Sequence, residues 1–126
     1  MKRKLLVIVS LLLAAIIISA IIISGYLQRV YEFDLNIYAD IIEKFPSEKV
    51  LGPVTSAKEA KEKAEAVWLE VYGDEVKKEK PYSVAYDENT GTWLVQGHLP
   101  WYMVGGVANI LIQESDGSVL AVWHEK

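Results

Sequence analysis

The sequence predicts an α+β protein in which an N-terminal transmembrane helix precedes a small domain of one helix packed on a four-stranded antiparallel sheet. Three observations predict this class. Residues 5 to 23 form an uncharged apolar run, a helical apolar repeat begins at Ser56, and four strand-like segments follow between residues 82 and 124. A chain of 126 residues has room for one such domain, and a helix followed by a run of strands is typical of α+β proteins.

The apolar run from Leu5 to Ile23 is long enough to cross a membrane. As a helix its 19 residues span roughly 30 Å of hydrocarbon, whereas the apolar part of a cleavable signal is usually about 7 to 15 residues. The basic residues Lys2 to Lys4 precede the run, and the positive-inside rule keeps them in the cytoplasm. Residues 1 to 25 are therefore predicted to be a cytoplasmic tail and a single-pass anchor, with the rest of the chain outside. Secretion after signal cleavage is the alternative.

The charge of the chain is uneven. The first four residues carry three of the 13 basic residues and none of the 17 acidic ones, which leaves a net charge of -7 on the remainder. Phosphate groups repel such a domain, so nucleic-acid binding is not expected, whereas a basic protein partner would be attracted. The alternative is that the acidic residues only confer solubility. The absence of cysteine excludes a disulfide scaffold and a cysteine-based zinc site, and no cofactor is predicted.

The segment from Tyr26 to Phe45 keeps an apolar rhythm among charged residues, which predicts an amphipathic helix or a continuation of the membrane helix. Pro46 ends it. The stretch from Pro46 to Pro53 contains two prolines and a glycine without any period, which predicts a linker. Residues 26 to 55 are thus predicted to be a juxtamembrane helix and linker, with the folded domain at residues 56 to 126.

The domain begins with a helix. Ser56 and Glu59 have the spacing of a capping box, in which the serine caps an N3 amide and the glutamate reaches back to the cap. Gly73 stands where a left-handed residue ends a helix. The apolar stripe that we expect to face a sheet consists of Ala60, Ala64, Val67, Trp68 and Val71.

Four strands are predicted after this helix. They cover Tyr82 to Tyr86, Thr92 to Leu99, Val107 to Glu114 and Val119 to His124. Gly91 closes the first turn, and Asp116-Gly117 is a two-residue hairpin turn. Trp93 is a structural residue of the second strand.

The last two strands are apolar on both faces. Val107 and Leu111 oppose a set made of Ala108, Ile110 and Ile112, and Leu120 and Val122 oppose a set made of Val119, Ala121 and Trp123. Because one helix covers only one face of a sheet, the second face must meet the segment from Tyr26 to Phe45, a second copy of the chain, or a partner.

No catalytic motif is found in the sequence, whether a phosphate-binding glycine loop, a metalloprotease helix or a serine elbow. His98 and His124 lie at the ends of different predicted strands and lack further ligands, so they are interpreted as strand-end residues and not as a metal pair. Tyr82, Tyr86 and Asp87 are interpreted as strand and turn residues and not as an acid and base. No catalytic residue is therefore predicted.

The loop from Leu99 to Gly106 is the most distinctive segment. Trp101, Tyr102 and Met103 are residue types that anchor protein interfaces, which makes them the candidate partner-binding residues. The alternative is that Trp101 folds back over the open end of the sheet. Gly105 and Gly106 are predicted to be structural, permitting positive φ angles or a bulge.

Several of these segments, taken in order, resemble a known family. They are the helix end Val71-Tyr72-Gly73, the segment Lys80-Pro81-Tyr82, the strand from Trp93 to Pro100, the pair Gly105-Gly106 and the turn from Asp116 to Leu120. From Ala57 to Lys126 the sequence resembles the nuclear transport factor 2 (NTF2) fold immunity proteins of bacterial polymorphic toxin systems.

The resemblance implies a cystatin-like or NTF2-like domain that neutralises a cognate toxin by binding it, without catalysis. Because folds of this kind host several functions, an anchored extracytoplasmic module that binds a peptide or a cell-envelope component is the alternative. An enzyme that uses the cavity of the fold is a third reading.

Overall fold

The computed structural model describes residues 2 to 27 and 29 to 125, with the backbone alone for residues 21 to 27. The helices are α1 (Lys2–Leu27), α2 (Ala39–Lys44) and α3 (Ala57–Tyr72), and two 3-10 helices cover Leu35–Tyr38 and Asp74–Glu79. The strands are β1 (Val30–Glu32), β2 (Ser83–Asp87), β3 (Thr92–Gln96), β4 (Ala108–Gln113) and β5 (Val119–His124).

The helix α1 contains the apolar run. From Lys2 to Ala20 it has a mean hydropathy of 2.3 and none of it is buried, so no part of the described chain covers its apolar side chains. Its length and composition suit a membrane span or a signal sequence.

The sheet has five strands in the order β1-β2-β3-β4-β5, so the prediction of four antiparallel strands is short by one. The four predicted strands are antiparallel neighbours, as expected. The additional strand β1 pairs in parallel with β2, with Val30 opposite Val84. A three-residue strand is too short to show the alternation that identifies strands in a sequence.

The strand directions define two ends of the sheet. β1, β2 and β4 begin at one end, where β3 and β5 finish. We call it the anchor-side end, because β1 starts there three residues after α1 stops. The turns between β2 and β3 and between β4 and β5 lie at the opposite, far end.

One face of the sheet packs on α3. Ser56 accepts a hydrogen bond from the Glu59 N–H at 3.1 Å, as predicted, while the Glu59 side chain bonds the Thr55 N–H and not the cap. Val71, predicted to face the sheet, is 52% exposed. The side chains buried in this core include Ala60, Ala64, Val67, Trp68, Val84, Trp93, Val95, Ala108, Ile110 and Ile112.

The second face packs on residues 33 to 42, which confirms one of the three expected coverings. The predicted single helix over this segment is wrong, because the chain forms β1, a 3-10 helix and the six-residue α2. Asp34 caps the 3-10 helix by accepting from the Asn36 N–H. The covering side chains are Phe33, Leu35, Tyr38, Ile41 and Ile42, which lie over Ala85, Leu94, Leu111, Ala121 and Trp123.

The stretch predicted as a linker lies beside β5. Pro46 bridges Ala121 and Val50 bridges Ser118, and the Leu51 N–H donates to the Gly117 carbonyl at 2.9 Å. These bonds cover part of the free edge of β5, so this stretch is held against the sheet.

β5 contains a bulge that changes the predicted faces. Leu111 pairs with Ala121 but Ile112 pairs with Val119, which leaves Leu120 as an extra residue. An extra residue reverses the alternation of side chains. Val119 therefore packs on the α3 side, whereas Ala121 and Trp123 face the other side, against the prediction that all three share a face.

Asp87 joins the second covering layer to the sheet. Its carboxylate accepts the Leu35 and Asn89 N–H groups, each at 2.9 Å, and these bonds, led by that of Leu35, hold its pKa below the ordinary aspartate value. A carboxyl group with a lowered folded pKa stabilises the fold above its unfolded pKa of ~4. This stabilisation is lost as the pH falls through the lower folded value.

We therefore expect Asp87→Asn to lower the melting temperature at neutral pH, with a difference from the wild type that shrinks as the pH falls below about 4. Thermal unfolding of both proteins across this pH range measures the difference. The exposed Asp40→Asn is the control and should track the wild type. A constant difference for Asp87→Asn would show that the ionised form contributes nothing.

Candidate functional site

The loop from Leu99 to Gly106 projects from the anchor-side end of the sheet. Trp101 is 94% exposed and Val104 is fully exposed, and Tyr102 and Met103 also point into solvent. Trp101 therefore does not fold back over the sheet. The loop is shaped by a turn in which the Met103 N–H donates to the Pro100 carbonyl at 2.9 Å, and the rings of Trp101 and Tyr102 meet edge to face at 5.8 Å.

The glycines after this turn differ from each other. Gly105 has a φ of 142°, which side chains rarely adopt, whereas Gly106 has no positive φ. The described loop thus has a fixed turn at one end and a glycine-dependent bend at the other, with four exposed apolar side chains between them.

Glu79 bonds to the chain at both ends of the loop. It lines a cavity of about 270 Å³ together with His98, Met103 and His124. Its Oε1 accepts the Ala108 N–H at 2.7 Å, and its backbone carbonyl accepts the His98 N–H at 2.6 Å. These bonds hold both ends of the loop, where β3 stops and β4 starts.

The structure brings His98 and His124 to the rim of this cavity. His124 Nε2 lies 3.8 Å from Glu79 Oε2, and its ring packs edge to face on Tyr72 at 5.5 Å. In the part of the chain that the structure describes, no three histidine, cysteine or acidic side chains are arranged to hold a metal ion. The arrangement fits a structural support for the loop.

Tyr82 and Asp87, two of the residues considered as an acid and base, do not lie together. The Tyr82 hydroxyl donates to Glu65 at 2.8 Å beside Lys80, in a cavity of about 550 Å³ on the α3 side. Burial, and then this bond, raise the pKa of Tyr82, while Lys80 lowers the pKa of Glu65. Asp87 is the last residue of β2, whereas Tyr82 directly precedes this strand, and the two residues lie on opposite faces of the sheet. The neutral Tyr82 hydroxyl therefore donates to the ionised Glu65 carboxylate, and this hydrogen bond contributes to the packing of the domain.

The far end of the sheet is acidic. The turn from Asp87 to Gly91, the turn from Glu114 to Gly117 and the stretch from Glu32 to Asp34 at the end of β1 carry six acidic residues and no basic one. These six residues are Glu32, Asp34, Asp87, Glu88, Glu114 and Asp116. The two turns also contain no large apolar residue. The far end therefore presents mainly acidic segments, with the Lys63 ammonium bound to the carbonyls of Leu51, Gly52 and Pro53 beside them. The exposed loop at the anchor-side end is instead apolar.

The predicted structural residues lie as follows. Trp68 and Trp93 are buried, and the Trp93 indole N–H donates to the Val54 carbonyl at 2.9 Å. Gly73 ends α3 with a φ of 78°, but its ψ of -170° is extended and not left-handed. Gly117 has a φ of 71°.

The sequence analysis missed Glu79 and Val104. Val104 directly follows Met103 in the same loop, so extending the apolar run by one residue would have included it. Nothing in the sequence marks Glu79, because its partners His98, Ala108 and His124 are all distant from it along the chain.

No curated protein and no solved structure is significantly similar to the chain. The family model described as NTF2 fold immunity protein matches residues 59 to 126, which covers α3 and strands β2 to β5. The chain therefore belongs to the NTF2 fold immunity protein family.

Proposed function

We propose that this chain is a membrane-anchored immunity protein that neutralises a cognate bacterial toxin by direct binding, without catalysing a reaction. The family match over residues 59 to 126 is the observation that carries the proposal. The exposed, uncovered helix α1 supports a retained anchor, and the three basic residues that precede its apolar run support a cytoplasmic N-terminus with an extracytoplasmic domain.

The charge of the domain supports a basic toxin surface as the partner. Acidic residues gathered at the far end of the sheet attract a basic surface and speed its association. Glu32 and Glu88 are exposed there and line the same shallow depression. We propose that this end faces the toxin.

Cells that express the toxin encoded beside this chain are expected to survive only when the chain is present. The double variant Glu32→Lys/Glu88→Lys should slow association with the purified toxin on the order of tenfold at low ionic strength, with a smaller difference at high salt. Survival counts and association rates at several salt concentrations are the measurements.

The double variant Glu43→Lys/Glu62→Lys is the matched control, since it makes the same change in net charge at two exposed positions on α2 and α3. It should associate faster than the far-end variant. Equal rates for the two variants would remove the far end from the interface. Failure of the wild type to bind or protect would contradict the function itself and favour an envelope-binding module.

A further inference from the structure

We propose that the segment from Trp101 to Val104 is a second membrane contact, which docks into the interface of the bilayer that α1 crosses. The inference rests on the retained anchor of the proposed function. The expected binding partner of Trp101, Tyr102 and Met103 is then a lipid surface and not a protein.

Only a short stretch of chain separates the anchor from the sheet. The apolar run stops at Ile23, helix α1 continues to Leu27, and β1 starts at Val30. Four helical residues rise about 6 Å and three further residues reach at most about 11 Å. The start of β1 therefore lies within about 17 Å of the hydrocarbon, close to the headgroups.

The loop leaves the sheet close to the start of β1. Val30, Val84 and Val95 form one row across β1, β2 and β3. Adjacent strands are about 4.8 Å apart, so β3 runs roughly 10 Å from β1. β3 ends at the anchor-side end, where the loop begins. The loop thus leaves the sheet at the end nearest the membrane and close to the anchor.

The composition of the loop suits a membrane interface. Residues 97 to 107 contain no acidic residue, although the domain as a whole is acidic. Trp101 and Tyr102 are exposed on it, and these are the residues enriched at membrane interfaces, where one side of the ring is apolar and the other is hydrated. Met103 and Val104 add exposed apolar surface, as does Val30 at the start of β1. The same surface in water would expose these groups at a cost.

The two ends of the sheet differ in charge. The six acidic residues at the far end are repelled by anionic lipid, whereas the anchor-side end mixes both signs, with Arg29 before β1 and an ion pair of 2.9 Å between Lys78 and Glu75. The preferred orientation therefore places the loop on the bilayer and turns the far end outward. A toxin that bound the loop would have to enter the narrow space between the domain and the membrane, so a lipid contact fits better.

The absence of cysteine allows a direct test on the full chain. Val104→Cys and, as the control, Ser115→Cys at the far end are labelled with a polarity-sensitive fluorophore, since both positions are exposed. Each protein is reconstituted into phosphatidylcholine–phosphatidylglycerol vesicles containing lipids that are spin-labelled near the headgroup. We expect a blue-shifted emission and strong quenching at residue 104, and neither change at residue 115.

A third protein, Val104→Cys with Trp101→Ser and Tyr102→Ser, should lose the blue shift and the quenching while still floating with the vesicles. Equal signals at residues 104 and 115 in protein that floats would overturn the loop contact and leave the anchor in place. Protein that does not float would overturn the anchor and this inference together. Shielding of residue 104 only after the toxin is added would make the loop a protein interface and also overturn the inference.

Discussion

Replacing Trp68 with alanine is expected to lower the free energy of unfolding by roughly 3 to 5 kcal/mol, the usual cost of truncating a buried aromatic side chain. Trp68 has no exposed surface, and its ring packs edge to face on Tyr82 with 5.0 Å between the centroids. Its indole N–H donates to the Asn109 carbonyl at 3.3 Å, which links α3 to β4. Because small domains are stable by only about 5 to 15 kcal/mol, this change removes a large fraction of the total.

Two further variants separate the contributions. Trp68→Phe keeps an aromatic ring but removes the donor to Asn109, so we expect an intermediate loss. Glu62→Ala changes an exposed residue whose ion pair with Lys58 spans 3.9 Å, and its effect should stay within about 0.5 kcal/mol. Denaturant unfolding of the detergent-solubilised full chain, followed by tryptophan fluorescence, gives the three values. Similar values for Trp68→Ala and Glu62→Ala would show that α3 presents another face to the sheet.

The helix α3 and strands β2 to β5 could be predicted because the sequence patterns that specify them lie within each segment. A cap at Ser56 and a stripe from Ala60 to Trp68 determine which side of the helix is buried. Val71 breaks the rule because it lies at the last turn of the helix, where the neighbouring Tyr72 already packs on His124, the last residue of β5. Periodicity identifies a face but gives no information on where the partner element stops.

The segment from residue 30 to 53 could not be predicted because the residues that determine its structure are far away in the chain. β1 has three residues, and its partner Val84 is more than fifty residues away in the chain. The prolines Pro46 and Pro53 favoured a linker, although proline is also common in segments at the edge of a sheet. The doubly apolar β4 and β5 did show that a cover was needed, and the segment from Phe33 to Ile42 supplies it.

The site was only partly predictable for the same reason. The residue types at 101 to 103 predict a contact surface of some kind, and this stays a prediction. Our proposal that the loop meets a membrane depends on the end of the sheet at which the loop leaves, relative to the start of β1. The strand directions determine this end, and they include the parallel pairing of β1 with β2, which has no local signature in the sequence.

Replacing Gly117 with alanine is expected to separate residues 50 to 53 from β5. Gly117 has a φ of 71°, and a Cβ placed there would lie 2.8 Å from the nitrogen of Gly52 and even closer to its carbonyl oxygen. The Gly117 carbonyl also accepts the Leu51 N–H at 2.9 Å. A left-handed alanine costs about 1 to 2 kcal/mol, and the collision adds roughly 1 to 3 kcal/mol because backbone has to move.

Gly91→Ala is the matched control for the backbone strain alone. Gly91 has a φ of 62° in the β2–β3 turn, and the nearest atom that its Cβ would meet is the Tyr86 hydroxyl at an ordinary 3.8 Å. We expect Gly117→Ala to be the more destabilised of the two and to lose hydrogen-exchange protection at the amides of Leu51 and Val119, which bond across this contact. Equal losses of stability in the two variants, with both amides still protected, would mean that residues 50 to 53 do not pack on β5.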